Sequence, residues 1–235
     1  MADSSDIVFY HSKYANLDES LKDILFDPEK LKQAGLITKE LKGRGTTYFY
    51  KLQDNPVVLR HYWRGGYIQN FSKDAYVWTG LAQTRSYGEW KLLESMEELG
   101  LPVPRTVALR IQRSGLCYRS DIVTEEIEGV ESLGHLLTQR PASDKEWQLI
   151  GQTIRRFHDE QVHHADLNAN NLLLKEGECY LIDFDRGRIR RGEGWKESVI
   201  ARLRRSLDKL SAQNEAFNFS EDNWSQLLLG YNPLR

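Results

Sequence analysis

Residues 143–185 contain the feature that most restricts how this chain can fold: a capped helix, a polar loop and a β-hairpin in direct succession. Ser143 and Glu146 have the spacing of a capping box, which predicts a helix over about residues 144–160. The stretch that follows, "HHADLNANNLLLKEGECYLIDFD" (residues 163–185), has two apolar runs separated by "EGE", which predict a hairpin. Carboxylates and amides therefore flank both ends of one short hairpin.

The polar residues around the hairpin have a specific spacing. His164, Asp166 and Asn171 form His-x-Asp-(x)4-Asn before it, and residues 183–185 form Asp-Phe-Asp after it. Asp166 can accept a proton from an attacking hydroxyl, while Asn171 and Asp183 offer the hard oxygen ligands that Mg²⁺ prefers as it bridges phosphate oxygens. Asp and Asn are also common in turns, so neither motif alone is specific. The two motifs together, in this order, predict a nucleotide–magnesium site.

Composition places few limits on function. The chain has 235 residues, 40% hydrophobic and 28% charged, which is typical of one sizeable globular domain or two small lobes. A net charge of −2 gives no reason to expect nucleic-acid binding. Cys117 and Cys179 lie in apolar runs, so we expect buried, reduced thiols and a reducing compartment.

No targeting or membrane-spanning segment is evident in the pattern. The first 18 residues lack a basic segment followed by a long apolar core, as a signal peptide would have. No run approaches the roughly 18–20 apolar residues that a membrane span needs. We expect a cytoplasmic protein, or one that reaches a membrane from the cytosolic side.

The first half of the chain favours an antiparallel sheet. Residues 18–34 predict two short helices, the second with Asp27 as N-cap, Pro28 at its first position and Gly35 at its end. Residues 86–99 predict a longer helix, stopped by Gly100. Four runs rich in β-branched and aromatic residues predict strands: "TTYFYKL", "PVVLRHYW", "TVALRIQ" and "CYRSDIVTEEI".

The second half favours helices. The helix of about residues 144–160 has an apolar face at helical spacing, made of Trp147, Ile150, Ile154 and Phe157. Two more helices are predicted over about 195–211 and 221–229, the last ending at Gly230. The fold class is therefore α+β, with an N-lobe of about residues 1–126, a hinge of about 125–131 and a C-lobe of about 132–235.

These motifs resemble the protein-kinase-like superfamily, and more closely the 3-deoxy-D-manno-octulosonic acid (Kdo) kinases of lipopolysaccharide core assembly. The likeness lies in "GRGTTYF", "LRHYWRGG", "TRSYGEWKLLESMEELGLPVP", "HHADLNANNLLL", "LIDFDRGRIR" and "ARLRRSL", spread over residues 43–207. The resemblance implies a bilobal kinase fold and transfer of the γ-phosphate of ATP, with Mg²⁺, to the 4-hydroxyl of Kdo on a lipid A precursor. It also implies a peripheral location on the cytoplasmic side of the inner membrane. We expect no obligate protein partner.

A kinase-like fold needs an inward carboxylate on the helix of the sheet-rich half. On a helical wheel, Glu89 falls on the apolar face that Leu92, Leu93, Met96 and Leu99 define. A carboxylate there is costly unless it is paired, so we expect a cationic partner. Arg60 stands where protein kinases have lysine, with Lys51 and Arg64 as alternatives. A Glu89 at the edge of the face, reaching water, and an Arg60 on an outer strand face are the structural alternatives.

The segment "GRGTT" is a weaker indication of a phosphate-binding loop. Gly43 and Gly45 lie between two predicted strands, but the segment lacks a full glycine-rich fingerprint. Any tight turn uses glycine, so this pattern only supports the assignment of Gly43 and Gly45 to the nucleotide.

A basic segment follows Asp-Phe-Asp, in place of the long activation segment of protein kinases. Residues 186–205 have a net charge of +6. The segment is either a solvated basic surface or a binding surface for an anionic acceptor, such as a sugar carboxylate or lipid phosphates. We predict Arg186, Arg188 and especially Arg202 as acceptor contacts.

The segment "RHYWRGGYIQNFSKDAYVWTG" (residues 60–80) mixes basic residues with aromatic ones. Such a pattern suits the headgroup layer of a membrane and equally suits a buried strand–turn–strand. Both interpretations stay open on the sequence alone.

Three other functions compete with this prediction. A heptose kinase of the same pathway, or another small-molecule kinase, would keep the chemistry and change the acceptor. A metal-dependent hydrolase would use His158, His163 and His164, but the two adjacent histidines point apart and His158 is expected to close its helix as a cation. A catalytically dead module is disfavoured because each required position holds a competent residue.

Overall fold

A computed structural model describes residues 4–43, 45–63 and 74–232. By its internal contacts the chain divides into two compact units. The first unit is Met1–Glu94 with Arg105–Glu128, and the second is Ser95–Pro104 with Gly129–Arg235. Segment 95–104 joins the second unit through backbone contacts: Leu181 N–H donates to Pro102 O at 3.0 Å. The predicted lobe limits and hinge remain predictions.

An antiparallel sheet forms the centre of the first unit. Its described strands are β1 (Ser4–Tyr10), β2 (Ile37–Lys42), β3 (Thr46–Leu52), β4 (Asn55–His61), β5 (Tyr76–Val77), β6 (Thr106–Ser114) and β7 (Cys117–Glu125). The order is β1-β6-β7-β4-β3-β2, and β5 pairs with β7. The four predicted strands are confirmed as β3, β4, β6 and β7. Strand β1, which was not predicted, pairs with β6 from Ser4↔Ser114 to Tyr10↔Ala108.

Two short helices, α1 (Glu19–Lys22) and α2 (Pro28–Gln33), pack against this sheet. The Asp27 side chain accepts from the amides of Glu29 and Lys30, so the predicted cap is confirmed. Leu25 and Leu31 are buried in one apolar cluster with residues of β3, β4, β6 and β7. The buried Tyr50 hydroxyl donates to Leu25 O at 2.9 Å, which satisfies the one polar atom of its side chain.

The long helix α3 (Arg85–Glu98) begins in the first unit. Trp90, Leu92, Leu93 and Met96 are buried, as the apolar face predicts. Leu99 was wrongly included in that face, because it follows the last turn and is 48% exposed. Gly100 adopts φ +66° directly after it, the left-handed conformation that ends many helices.

The second unit is mainly helical. Its described helices are α4 (Leu133–Gln139), α5 (Asp144–Asp159), α6 (Lys196–Gln213) and α7 (Glu221–Tyr231). Its described strands are β8 (Glu131–Ser132), β9 (Val162–His163), β10 (Leu172–Lys175), β11 (Glu178–Leu181) and β12 (Arg188–Ile189). The capping box at Ser143 and the hairpin β10–β11 are both confirmed. Helix α4, whose N-cap is Ser132, was not predicted.

Helices α5 and α7 pack with their backbones in close contact. A Cβ at Gly151 would lie 2.0 Å from Leu227 O, and one at Gly230 would lie 2.0 Å from Gln148 O. The prediction that Gly230 ends the last helix is therefore wrong. Gly230 lies inside α7, where the absence of a side chain allows α5 to approach.

The cysteines differ from each other. Cys179 on β11 is buried, and burial raises the pKa of its thiol to about 12. The expectation for Cys117 is wrong: it begins β7 beside the hairpin turn at Gly115 and is exposed. Within the ranges described, no helix combines the length and apolarity that crossing a bilayer requires.

Candidate active site

Backbone pairing holds the two sequence motifs of the second unit side by side. Strands β9 and β12 pair as Arg188↔His163 and Ile189↔Val162. Further along, Ile182 N–H donates to Asn171 O at 3.1 Å. The loop that carries Asp166 and the segment that carries Asp183 are therefore joined at both ends.

His164 connects the same two segments through its ring. Its Nε2 donates to Ile182 O at 3.0 Å, and its Nδ1 accepts from Asp166 N–H at 3.1 Å. The Phe184 ring lies 4.6 Å from the His164 ring and stacks on Phe157 of α5 at 5.7 Å. His164 and Phe184 thus orient the backbone on either side of the two aspartates.

Asn171 presents its amide in a defined orientation. Its Nδ2 donates to Asp166 O at 3.0 Å, and the residue is almost fully buried. Because the NH₂ group is used in this bond, the Oδ1 atom is the one left to accept or to ligate. The Asn171 amide oxygen and the Asp183 carboxylate, one residue after Ile182, are hard oxygen donors. Mg²⁺ binds donors of this type together with phosphate oxygens and water. The donor set therefore fits Mg²⁺.

Asp183 has an unusual backbone conformation. Its φ is +64°, and Arg186 three residues later has φ +63°. Non-glycine residues in this left-handed region are uncommon, and they concentrate at sites where the surrounding structure imposes them. Gly187 N–H donates to Phe184 O at 2.7 Å and closes the turn between them. The segment after β11 is therefore a constrained turn that directs the Asp183 side chain.

The Asp166 carboxylate is held at the surface. It is 52% exposed, and its Oδ1 accepts from Arg202 Nη1 of α6 at 3.0 Å. Arg202 is itself 49% exposed. Exposed pairs of this kind contribute little to stability and exchange readily with water or ligands. The predicted base and the predicted acceptor contact are therefore in direct contact.

In the first unit, Arg60 and Glu89 form an ion pair. Arg60 lies on β4, paired with Thr47 of β3 and Ile122 of β7, and Glu89 lies on α3. The Tyr62 hydroxyl donates to the second Glu89 oxygen at 2.6 Å. The Glu89 carboxylate is 1% exposed, whereas the Arg60 side chain is 30% exposed. Part of the Arg60 side chain therefore lies at the surface, while the Glu89 carboxylate is enclosed.

The alternative cations lie elsewhere. Lys51 is exposed on β3, opposite Pro56. Arg64 lies outside the described residues. The expected ion pair is therefore made by Arg60, and its role toward a nucleotide stays a prediction.

Gly43 and Gly45 form a tight turn between β2 and β3. Gly43 N–H donates to Gly45 O at 2.8 Å. A Cβ at Gly45 would lie 1.8 Å from Trp63 Nε1, so a side chain at this position would require the indole to move. The glycine has a packing reason here, and phosphate binding by this turn remains a prediction.

The basic segment after the hairpin is only partly available. Lys196 is buried and pairs with Glu193 at 2.8 Å, and Arg204 pairs with Asp208 and Glu221. Arg186 and Arg188 are exposed, and Arg188 belongs to β12. The charges of the segment are therefore divided between internal ion pairs and an exposed set.

His158 is not the helix-closing cation that was expected. It is buried within α5, and its Nδ1 lies 2.7 Å from the Tyr231 hydroxyl. Burial, with the nearby charge of Lys196, lowers the pKa of His158 to about 4, so the ring is neutral near pH 7. His163 packs on Trp195 at 5.3 Å, while His164 faces Phe184. In the described part of the chain, no three His, Cys, Asp or Glu residues are placed to share a metal.

The aromatic segment of residues 60–80 is described in part. Tyr62 and Tyr76 are buried, and Tyr76 stacks on Tyr118 at 5.3 Å. These two rings are therefore packed inside the first unit. Residues 64–73, with Tyr67 and Phe71, lie outside the described residues.

Three contacts of this region were missed from the sequence. Tyr62 lies two residues after Arg60, just past the end of β4, so the period of two could have indicated it. Ser206 Oγ on α6 accepts from Ala169 N–H at 3.2 Å, and a Cβ at Gly134 of α4 would lie 2.2 Å from Asn170 Oδ1. Nothing in the local sequence indicates these last two, since each joins elements distant along the chain.

Comparison with known proteins gives one consistent result. The family described as "Lipopolysaccharide kinase (Kdo/WaaP) family" matches residues 29–231. A 3-deoxy-D-manno-octulosonic acid kinase of Haemophilus influenzae (strain PittEE) is 42% identical over 81% of this chain and 82% of its own length. The protein of that name from Actinobacillus succinogenes is 40% identical over 92% of this chain and 94% of its own.

A solved structure titled "WaaP in complex with acyl carrier protein" has the same fold. It matches with a TM-score of 0.59 at 17% identity, over 96% of this chain and 88% of that one. The predicted protein-kinase-like α+β fold class is confirmed by this likeness, together with the antiparallel sheet and the helices described above.

Proposed function

Since this chain belongs to the lipopolysaccharide kinase (Kdo/WaaP) family, we propose that it is an ATP-dependent kinase that phosphorylates Kdo in lipopolysaccharide core biosynthesis. The observation that carries the proposal is the arrangement of Asp166. Its loop is joined to the Asp183 segment through His164 and Asn171, and its carboxylate stays half-exposed. The relatives named Kdo kinase, each covered over most of its length, favour Kdo over heptose as the acceptor.

The proposed reaction transfers one phosphoryl group. The 4-hydroxyl oxygen of Kdo forms a bond to the γ-phosphorus of ATP, and the bond between that phosphorus and the β,γ-bridging oxygen breaks to release ADP. A carboxylate oxygen of Asp166 orients the hydroxyl and takes its proton. Little covalent help is needed, so the chain contributes mainly position and charge.

Residues of each unit are assigned to ATP separately. In the first unit, the Arg60 guanidinium holds phosphate oxygens while Glu89 and Tyr62 fix its position, and the turn at Gly43 and Gly45 is assigned to the phosphates. In the second unit, Asn171 Oδ1 and the Asp183 carboxylate would hold Mg²⁺. When bound, Mg²⁺ neutralises the charge that develops on the phosphate oxygens.

We further propose that the protein acts at the cytoplasmic face of the inner membrane, where it would meet a lipid-linked acceptor. The supporting observation is the mixture of basic and aromatic residues in segment 60–80, in which Trp63 is 37% exposed although Tyr62 and Tyr76 are buried. Sedimentation with vesicles of anionic lipid at low salt should retain the protein. Equal recovery in the supernatant with and without vesicles would contradict peripheral binding.

Mass spectrometry of the acceptor tests the main proposal. Kdo-bearing lipid A precursor, ATP and Mg²⁺ should yield a product heavier by one phosphate with the natural chain. Asp166→Asn should lower turnover by about 10²- to 10⁴-fold, the contribution of a positioned general base. Asp54→Asn is the matched control, because it removes an exposed carboxylate from the turn between β3 and β4.

The outcomes separate the parts of the proposal. Phosphate on heptose-containing core alone would keep the kinase and change the acceptor. Full turnover by Asp166→Asn would move the base to another residue.

A further inference from the structure

One face of α6 forms a basic wall beside Asp166. Arg202, Arg205 and Lys209 are spaced by three and four residues, so they share one side of the helix. The opposite side, with Val199, Leu203 and Leu207, is buried. The cations therefore face away from the core of the second unit.

This basic wall lines a pocket of about 420 Å³ that lies wholly in the second unit. The rest of its lining includes Asp166, with Asn168 and Asn170 from the start of the turn before β10. Its volume is within the range of small-molecule sites. The pocket thus places three cations and two asparagine amides next to the carboxylate proposed to activate the acceptor hydroxyl.

The cations of the wall differ from Arg204 in how they are neutralised. Arg204 is engaged by Asp208 and Glu221. Over the residues that the structure describes, neither Arg205 nor Lys209 makes an ion pair, and both side chains are exposed. Two cations without acidic partners, at one pocket, are suited to an anionic ligand.

We propose that this pocket is the acceptor subsite and that Arg205 and Lys209 bind the carboxylate of the acid sugar. This inference rests on the proposed function for the identity of the sugar. Arg202 is a positioning residue: its bond to Asp166 must open or shift as the acceptor hydroxyl reaches that carboxylate. The pocket therefore selects sugars that carry an acid group and places them against Asp166.

Binding of free Kdo to the whole protein tests this proposal without catalysis. Titration followed by NMR should show binding of Kdo, with the methyl ester of Kdo bound about tenfold more weakly. Arg205→Gln and Lys209→Gln should each weaken Kdo binding by about tenfold and leave ester binding unchanged. Lys145→Gln is the matched control, since it removes an exposed lysine from the first turn of α5.

The same variants have a kinetic readout. With the lipid-linked acceptor, Arg205→Gln and Lys209→Gln should raise KM for the acceptor and leave kcat and the KM for ATP near those of the natural chain.

Each alternative result has a distinct meaning. Absence of Kdo binding, equal binding of Kdo and its ester, or a Lys209→Gln variant that matches Lys145→Gln would overturn the subsite. Inorganic phosphate binding as tightly as Kdo would also overturn it, in favour of a general anion site for lipid phosphates. Selective Kdo binding without phosphate transfer would support the subsite and contradict the proposed function.

Discussion

Two arginine–carboxylate pairs of this chain lie in opposite surroundings. Glu89, paired with Arg60 in the first unit, is 1% exposed and accepts a second bond from Tyr62. Asp166, paired with Arg202 in the second unit, is 52% exposed. Desolvation makes a buried pair expensive to break, whereas solvent makes an exposed pair easy to exchange. The first pair is therefore suited to hold a cation in place, and the second to release a carboxylate.

The largest effect on stability is expected from breaking the buried pair. Arg60→Ala leaves the Glu89 carboxylate buried without its cation, and should lower the free energy of unfolding by about 3 kcal/mol. Urea unfolding measures this change in the free energy of unfolding. Adding Glu89→Gln to this variant should recover part of the loss, because an amide is cheaper to bury than a charge.

Lys51→Ala is the control for this experiment, since it removes an exposed cation from β3 in the same unit. It should change the free energy of unfolding by no more than about 0.5 kcal/mol. A similarly small loss for Arg60→Ala would mean that the buried pair contributes nothing in particular to stability.

Acidification should destabilise the second unit through His158. His158 has its pKa lowered from 6.5 to about 4, so its contribution is complete above pH 6.5 and declines as pH falls toward 4. Below that range the loss reaches about 3 kcal/mol. Urea unfolding of the natural chain and His158→Gln at pH 7 and pH 5 checks this. Parallel losses in both proteins would assign the acid sensitivity to other groups.

Loss of the second bond to Glu89 should have an intermediate effect. Tyr62→Phe keeps the ring and removes the hydroxyl that donates at 2.6 Å. A hydrogen bond to a buried charged group contributes about 1.5–3 kcal/mol, so unfolding should become easier by that amount. Tyr180→Phe is the control, because among the described residues its hydroxyl donates to the exposed Glu178 alone. Equal effects of the two variants would contradict a special role for Tyr62.

The smallest effect on stability is expected at the exposed pair. Arg202→Ala should change the free energy of unfolding by at most about 1 kcal/mol. Its effect on turnover with the acceptor should be larger than its effect on stability, because Arg202 contacts Asp166 directly. A loss comparable to that of Arg60→Ala would erase the distinction between the two pairs.

Much of the local structure was accessible from the sequence because its causes are local. The capping box at Ser143, the N-cap at Asp27 and the hairpin β10–β11 depend on residues a few positions apart. The wheel that placed Glu89 on a buried face needed only the helical period. The motifs around Asp166 and Asp183 were likewise placed at the two ends of one predicted hairpin.

Errors arose where a residue's role depends on a distant element. Gly230 was predicted to end a helix, yet it lies inside α7 because α5 approaches it. His158 was predicted to be a cation, yet burial against Tyr231 and Trp195 keeps it neutral. Cys117 was predicted to be buried, although the hairpin turn leaves it in solvent.

The sequence by itself determined many of the elements, their order and the residue types of the site, since caps, turns and apolar periods act over one or two helical turns. Only the tertiary structure decided which charges meet. Asp166 pairs with Arg202 of α6, and Arg205 and Lys209 line the pocket beside it. In the first unit, Glu89 accepts a hydrogen bond from Tyr62. The reason is physical: the environment of a charge depends on the burial and partners supplied by segments far along the chain, and local spacing does not encode them.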